Sequence, residues 1–180
     1  MKKFFSILTI CIFYFTTSAN AKTNDAFVKF GDWGQAILPI SAAVIAYSKE
    51  NNYEGVTQLA KTYACTMLVT YALKYTIRAE RPRGGRNSFP SGHSSSAFGG
   101  ASFLAFRYGY KYGIPAYIGA IAIGASRIHG RHHHLADVVA SATISVVAAH
   151  IFTTRYKEAV KFSTSPVKGG GQLLNLELAL

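Results

Sequence analysis

Five apolar runs occupy most of the chain: Trp33–Ser48, Leu59–Ile77, Ser94–Tyr108, Ile114–Ser126 and Leu135–Phe152. None alternates with the two-residue period of a half-buried strand, and four of the five lack a polar face. Helices that are apolar nearly all round lie in a membrane or at the centre of a large core. A chain of 180 residues does not supply such a core for five helices. The expected fold is therefore an all-α helical bundle, integral to a membrane, with five or six transmembrane helices. A bilayer span takes about 20 residues, or about 17 at the low end. Three of the runs fall near or below that limit, which leaves a compact soluble bundle as the rival. Aromatic and basic residues at run ends favour the membrane: Trp33 opens the first run, and Arg107, Tyr108, Tyr110, Lys111 and Tyr112 link the third to the fourth.

Residues 1–21 carry Lys2 and Lys3, an apolar stretch from Phe4 to Phe15, and Ala19-Asn20-Ala21 as a small-x-small cleavage pattern. They read as a signal peptide or an uncleaved first membrane helix, and either sends the chain out of the cytoplasm. Cleavage would remove Cys11, leave Cys65 alone and exclude an internal disulfide. The chain divides into this leader, a domain over residues 22–162, and a C-terminal tail over 163–180 containing Gly169-Gly170-Gly171, for which the sequence suggests no function.

Charge narrows the chemistry. Nineteen Lys and Arg stand against eight Asp and Glu, a formal net charge of +11. That excess points to an anionic partner. The few carboxylates are too scattered for a two-metal hydrolase. The basic residues gather in two segments, Lys74 through His93 and Ser126 through Asp137, separated by two helical runs. Two crossings of a membrane return the chain to its starting side, so both segments face one compartment. Ser91 in Pro90-Ser91-Gly92-His93 is a good helix cap, and the free N–H groups that follow form an anion site. Among His129, His132, His133 and His134, only His133 has an acid four residues on, Asp137. On a helix that carboxylate would accept the Nδ1–H and leave Nε2 free to attack. A metal shared by His129 and His133 is the alternative, with few carboxylates nearby to complete it. His150, deep in the last run, is expected in the core.

These segments resemble the type 2 phosphatidic acid phosphatase superfamily, whose pattern is K-x6-R-P, then P-S-G-H, then S-R-x5-H-x3-D. Here it reads Lys74 to Arg81-Pro82, Pro90-Ser91-Gly92-His93, and Ser126-Arg127 to His133 and Asp137. The resemblance covers roughly Asp32 to Phe152. It implies that Lys74, Arg81 and Arg127, with Ser91 and Gly92, hold the phosphoryl oxygens. It further implies that His133 attacks phosphorus, Asp137 orients it, and His93 protonates the departing oxygen, with neither metal nor cofactor. Arg78, Arg83, Arg86 and Arg131 would form a basic rim around an anionic headgroup. The implied substrate is a lipid phosphate at the periplasmic face of a bacterial inner membrane: lipid A phosphate, undecaprenyl diphosphate, phosphatidylglycerol phosphate or phosphatidic acid. Alternatives are a soluble periplasmic acid phosphatase, a vanadium haloperoxidase and a non-catalytic binder of anionic lipid. No nucleic-acid motif is present.

Overall fold

The computed structural model describes residues 25–50, 52–157, 161–166, 170 and 172–177. The leader at residues 1–21 lies outside them. Five helices follow in order: α1 Asp25–Glu50, α2 Glu54–Ile77, α3 Gly92–Tyr108, α4 Tyr110–His129 and α5 Leu135–Phe152. The five apolar runs each became one helix. The first begins eight residues before Trp33, because the polar stretch from Asp25 to Asp32 is also helical. Beyond them, β1 (Lys161–Pro166) and β2 (Gln172–Glu177) pair antiparallel, with Lys161 opposite Glu177 and Pro166 opposite Gln172. The hairpin straddles the boundary drawn at residue 162.

The central helix is α3, which packs against all four of the others. Its sequence, GHSSSAFGGASFLAFRY, is rich in glycine, alanine and serine, and small side chains let neighbouring backbones approach closely. At Gly100 a Cβ would stand 3.0 Å from the backbone of Pro39 on α1, so even alanine would press the two helices apart. Hydroxyls fill much of the interior. Thr62, Thr66 and Thr70 line the buried face of α2, opposite Ser94, Ser95 and Ser96 of α3 and Ser141 and Ser145 of α5. Most satisfy one another or a helix carbonyl: Thr70 meets Ser95 at 2.7 Å, and Ser145 donates to Ser141 O at 2.8 Å. Apolar packing is confined to two clusters, one around Phe98 and Ile123, the other around Leu59 and Phe103.

Many of the large apolar side chains point outward instead. Trp33, Ile37, Ile40 and Val44 on α1 are exposed, as are Leu68, Tyr71 and Tyr75 on α2. So are Ile114, Ile118 and Ile121 on α4, and Val139, Val147 and Ile151 on α5. Only α5, Leu135–Phe152, is long and apolar enough among the described residues to cross a membrane on length and composition alone. The expectation of five or six such helices is corrected to this extent. Charges, glycines and hydroxyls dilute α1, α2 and α4, and α3 has only 17 residues. His150 is also corrected: it is exposed near the end of α5, its ring edge-on to Phe106.

At the end of the bundle away from the basic segments, one ion pair holds three helices. Arg107, 2% exposed, donates from Nε to Glu50 Oε1 at 2.8 Å and from Nη2 to Oε2 at 2.7 Å. Its Nη1 reaches Thr154 O at 2.9 Å and Gln58 Oε1 at 3.3 Å. Glu50 accepts further bonds from Tyr108 and from the backbone of Gly55. Arg107 is thus a buried clamp rather than the interfacial anchor its place in the sequence suggested. Removing one partner of a buried pair leaves the other charge uncompensated. Arg107→Ala should therefore cost about 3–5 kcal/mol, read as a large fall in the thermal unfolding midpoint in detergent. An unchanged midpoint would show that the clamp contributes nothing.

Candidate active site

The opposite end of the bundle gathers the C-terminal ends of α2 and α4, the N-terminal ends of α3 and α5, and the first turns of α1. Its frame is the loop from Arg78 to Ser91, which Lys74 anchors. The Lys74 ammonium is buried and donates to Asn87 O at 2.9 Å and Pro90 O at 2.6 Å, with Ser88 O at 3.5 Å. Arg81 turns the loop back on itself, its N–H bonding Gly85 O while its own carbonyl accepts from Gly84. The glycines take positive φ there, as do Arg78 and Asn87, so the chain reverses within a few residues. Ser88 then donates to Asp137 Oδ2 at 2.5 Å, which ties the loop to α5.

Ser91 is the N-cap of α3, its hydroxyl accepting from the backbone N–H of Ser94 at 3.4 Å, and Gly92 is the first helical residue. A Cβ built on Gly92 would meet nothing within 4 Å. The helix N-terminus, with its free N–H groups and positive dipole end, faces open space there. Arg127, 1% exposed, bonds Asp32 Oδ1 through Nη1 at 2.5 Å, Ser126 Oγ through Nε at 3.1 Å, and Val28 O through Nη2. His93 Nε2 approaches the same Asp32 oxygen at 3.2 Å.

His133 does not lie on a helix. It sits in the turn between α4 and α5, where its N–H and that of His132 both reach Arg127 O. The i,i+4 argument for its pairing with Asp137 therefore gives way to a different geometry with the same partners. Asp137 is in the first turn of α5, fixed by Ser88 and by the His134 N–H at 2.9 Å. His133 Nδ1 stands 3.4 Å from Asp137 Oδ2 without hydrogen-bond alignment. His129 ends α4 and His133 lies in the turn beyond it, so the helical spacing that would put the two on one face does not hold. Of the three buried polar side-chain atoms without a hydrogen bond among the described residues, two belong here, His133 Nδ1 and Arg81 Nε.

Burial pushes the His133 imidazole down to about 4, with the Lys74 and Arg81 charges acting in the same direction and Asp137 opposing them. The ring is neutral at physiological pH, as a nitrogen nucleophile must be. Lys74, Arg81, Ser91, Gly92, His93, Arg127, His133 and Asp137 thus form one connected neighbourhood. The sequence reading missed two participants. Ser88, which fixes Asp137, carries no motif signal beyond its place two residues before Pro90. Asp32 lies on α1, in a stretch that reads as an unremarkable polar lead-in.

The open space above Gly92 makes a test possible. Gly92→Ala should leave stability unchanged or raise it by about 0.5–1 kcal/mol, since alanine suits a helix better than glycine and meets no protein atom. The added methyl would obstruct an anion at the helix end, so inhibition by phosphate or vanadate should weaken at least several-fold. Undiminished inhibition in a stable variant would move the anion site elsewhere.

Comparison with known proteins bears on the same segment. Residues 79–161 match the family model of the PAP2 superfamily. The chain is 31% identical over 132 residues to the lipid A 4'-phosphatase of Helicobacter pylori, covering 67% of this chain and 66% of that protein. It is 33% identical over 82 residues to the lipid A 1-phosphatase of Porphyromonas gingivalis, covering 43% of this chain and 18% of the relative. The chain therefore spans less than two thirds of the length of either. Two solved structures share the fold. One is LpxE of Aquifex aeolicus, with a TM-score of 0.64 and 20% identity over 77% of this chain and 89% of that one. The other is the transmembrane PAP2-type phosphatidylglycerolphosphate phosphatase of Bacillus subtilis, with a TM-score of 0.60 and 19% identity over 77% and 79%. The matched segment opens just before Arg81 and runs through Asp137 past the end of α5, and together with the Helicobacter pylori relative it shows that the chain belongs to the PAP2 superfamily.

Proposed function

We propose that this protein is a metal-independent lipid phosphatase working through a phosphohistidine. The observation that carries the reading is His133: buried, uncharged, placed against Asp137 and surrounded by the positive charge of Lys74 and Arg81. His133 Nε2 attacks phosphorus while Asp137 stabilises the developing positive charge on the ring from the Nδ1 side. The bond from phosphorus to the lipid oxygen breaks, and His93 gives that oxygen a proton. Water then attacks the phosphoenzyme and returns a proton to His93, the phosphorus–nitrogen bond breaks, and inorganic phosphate leaves. Arg81, Arg127, Lys74 and the α3 N-terminus, with Ser91 and Gly92, neutralise the phosphoryl charge, a task that metal ions perform in other phosphoryl-transfer enzymes. The long Nδ1–Oδ2 distance fits a contact that tightens when substrate binds.

The outward belt of Trp33, Ile37, Leu68, Ile118 and Val147 supports a membrane setting, because soluble monomers rarely expose contiguous apolar surface on this scale. Such a belt would bring the site to the headgroup layer, at the periplasmic face of a bacterial inner membrane on this reading. Arg83, Arg86 and Arg131, exposed beside the site, suit an anionic headgroup. The Helicobacter pylori relative favours a lipid A phosphate over undecaprenyl diphosphate, phosphatidylglycerol phosphate and phosphatidic acid. The second reading is a soluble periplasmic acid phosphatase with the same mechanism; among the described residues, α5 alone has spanning length and polarity.

Purified in detergent, the protein should release phosphate from at least one lipid phosphate, undiminished by excess chelator and inhibited by vanadate. His133→Ala should lower the rate by about 10⁴-fold or more, with His132→Ala and His134→Ala retaining most of it. His93→Ala should cost roughly 10²–10⁴-fold on an alkyl phosphate. Silence across a panel of lipid phosphates by a folded protein would favour the anionic-lipid binder, and equal losses at all three histidines would refute the assignment to His133. The pH profile provides a further check. A nucleophile whose pKa is depressed to about 4 stays uncharged well below the usual 6.5. The acid limb of kcat/KM assigned to His133 should accordingly fall near pH 4 to 5, and a limb at 6.5 that moves with His133 substitution would contradict its burial.

A further inference from the structure

Asp32 stands on α1, a helix that contributes none of the motif residues, yet one of its oxygens meets two of them. Oδ1 lies 2.5 Å from Arg127 Nη1 and 3.2 Å from His93 Nε2. The approach of α1 is built for this. A Cβ on Gly31 would collide with Ser126 Oγ and with the Arg127 guanidinium, so any other residue there would force one of those side chains or α1 to shift. Val28, one turn earlier, accepts a second bond from the same guanidinium. Arg127 is 1% exposed and is held by Ser126 and Val28 as well as by Asp32, whereas the Asp32 side chain is 48% exposed. A half-exposed carboxylate therefore sits against a buried guanidinium and the His93 imidazole, where a phosphate oxygen would make the same contacts.

The chemistry of the reaction gives such a group a task. The proposed site surrounds phosphate with Arg81, Arg127 and Lys74 and the end of a helix, and inorganic phosphate is the last product to leave. Fixed positive charge that stabilises a phosphoryl group in transit also retains it afterwards. Resting on the phosphatase reading, we infer that Asp32 is a positioning residue for product release: its carboxylate competes with inorganic phosphate for Arg127 and His93. Re-pairing with those two side chains lowers the free energy of the emptied site, so phosphate departs more readily. The same contact aims His93 Nε2 into the site between turnovers.

The test uses the full chain in detergent and inorganic phosphate as the probe, read both as product inhibition and by direct binding in a calorimeter, which needs no turnover. Asp32→Asn keeps the shape and removes the charge, and phosphate should bind roughly three- to tenfold more tightly, a figure already reduced for a half-exposed pair. Asp32→Glu retains the charge and should stay within about twofold of the natural protein. A purely structural clip would move the other way, with phosphate bound more weakly and the melting temperature lowered. Unchanged or weaker phosphate binding by folded Asp32→Asn would overturn the inference. If that variant does not fold, histidine labelled with nitrogen-15 in the natural protein gives the answer. Saturating phosphate should shift the His93 Nε2 resonance as its contact with Asp32 breaks, and an unmoved resonance would overturn the inference. Failure of the natural protein both to bind phosphate and to hydrolyse any lipid phosphate would instead sink the phosphatase reading.

Discussion

The buried ammonium of Lys74 organises the reactive end of this protein. Its bonds to the carbonyls of Asn87 and Pro90 fix a loop that has little regular structure of its own. An unpaired charge at that depth would be costly, so the loop carbonyls must converge on it. Once they do, the loop delivers three further contacts. Ser88 reaches the Asp137 carboxylate, the Ser91 N–H reaches Asp137 O, and the Ser91 carbonyl accepts from Ser141. Through them the capped end of α3 and the first turn of α5 are held in one register. The lysine implied as a phosphate ligand is thus first a structural cation. It contributes charge to the site while its protons are directed at backbone.

The rest of the bundle inverts the usual distribution of side chains. Hydroxyls and small residues fill much of the space between the helices, while Trp33 and many of the isoleucines and valines lie outside. Helices packed on glycine, alanine and serine approach closely and leave little room for relaxation, which suits a site that needs several cations held in fixed positions. The two ends of the bundle divide the charged residues between them. Arg107 and Glu50 neutralise each other in a closed, fully bonded clamp at one end. At the other, Arg127 and His93 share one half-exposed carboxylate, and Arg81 Nε is buried without a partner. The first end is closed by bonded charge, and the second is where the proposed chemistry would occur.

Much of this was legible in the sequence. The five apolar runs located the helices, because hydrophobic continuity is a local property. The spacing of Lys74, Arg81, His93, Arg127 and His133 brought those residues to one end of the bundle because they sit at helix ends or in the connections beside them, and helix ends meet when loops connect antiparallel neighbours. What resisted was long-range pairing. Arg107 reads as an interfacial arginine until Glu50, 57 residues away, is seen to neutralise it. Asp32 reads as a polar lead-in until Arg127, 95 residues on, is placed beside it. The helical spacing put Asp137 near His133, and the two are near, but in a turn at Gly130–His134 and without the expected hydrogen bond. His150 looked buried because its neighbours are apolar, yet in this fold an apolar neighbourhood marks the exterior.

The central claim is that phosphorus is transferred to His133. Mixing the protein with a lipid phosphate carrying phosphorus-32, quenching within milliseconds in alkali, and mapping the labelled peptide tests it directly. Phosphohistidine survives base and is lost in acid, which separates it from phosphoserine and from acyl phosphates. The account requires base-stable, acid-labile label on the peptide containing His133, absent from His133→Ala and accumulating in a variant slowed in the second step. Label on another residue, or rapid phosphate release with no phosphoenzyme at any quench time and retained turnover in His133→Ala, would contradict it.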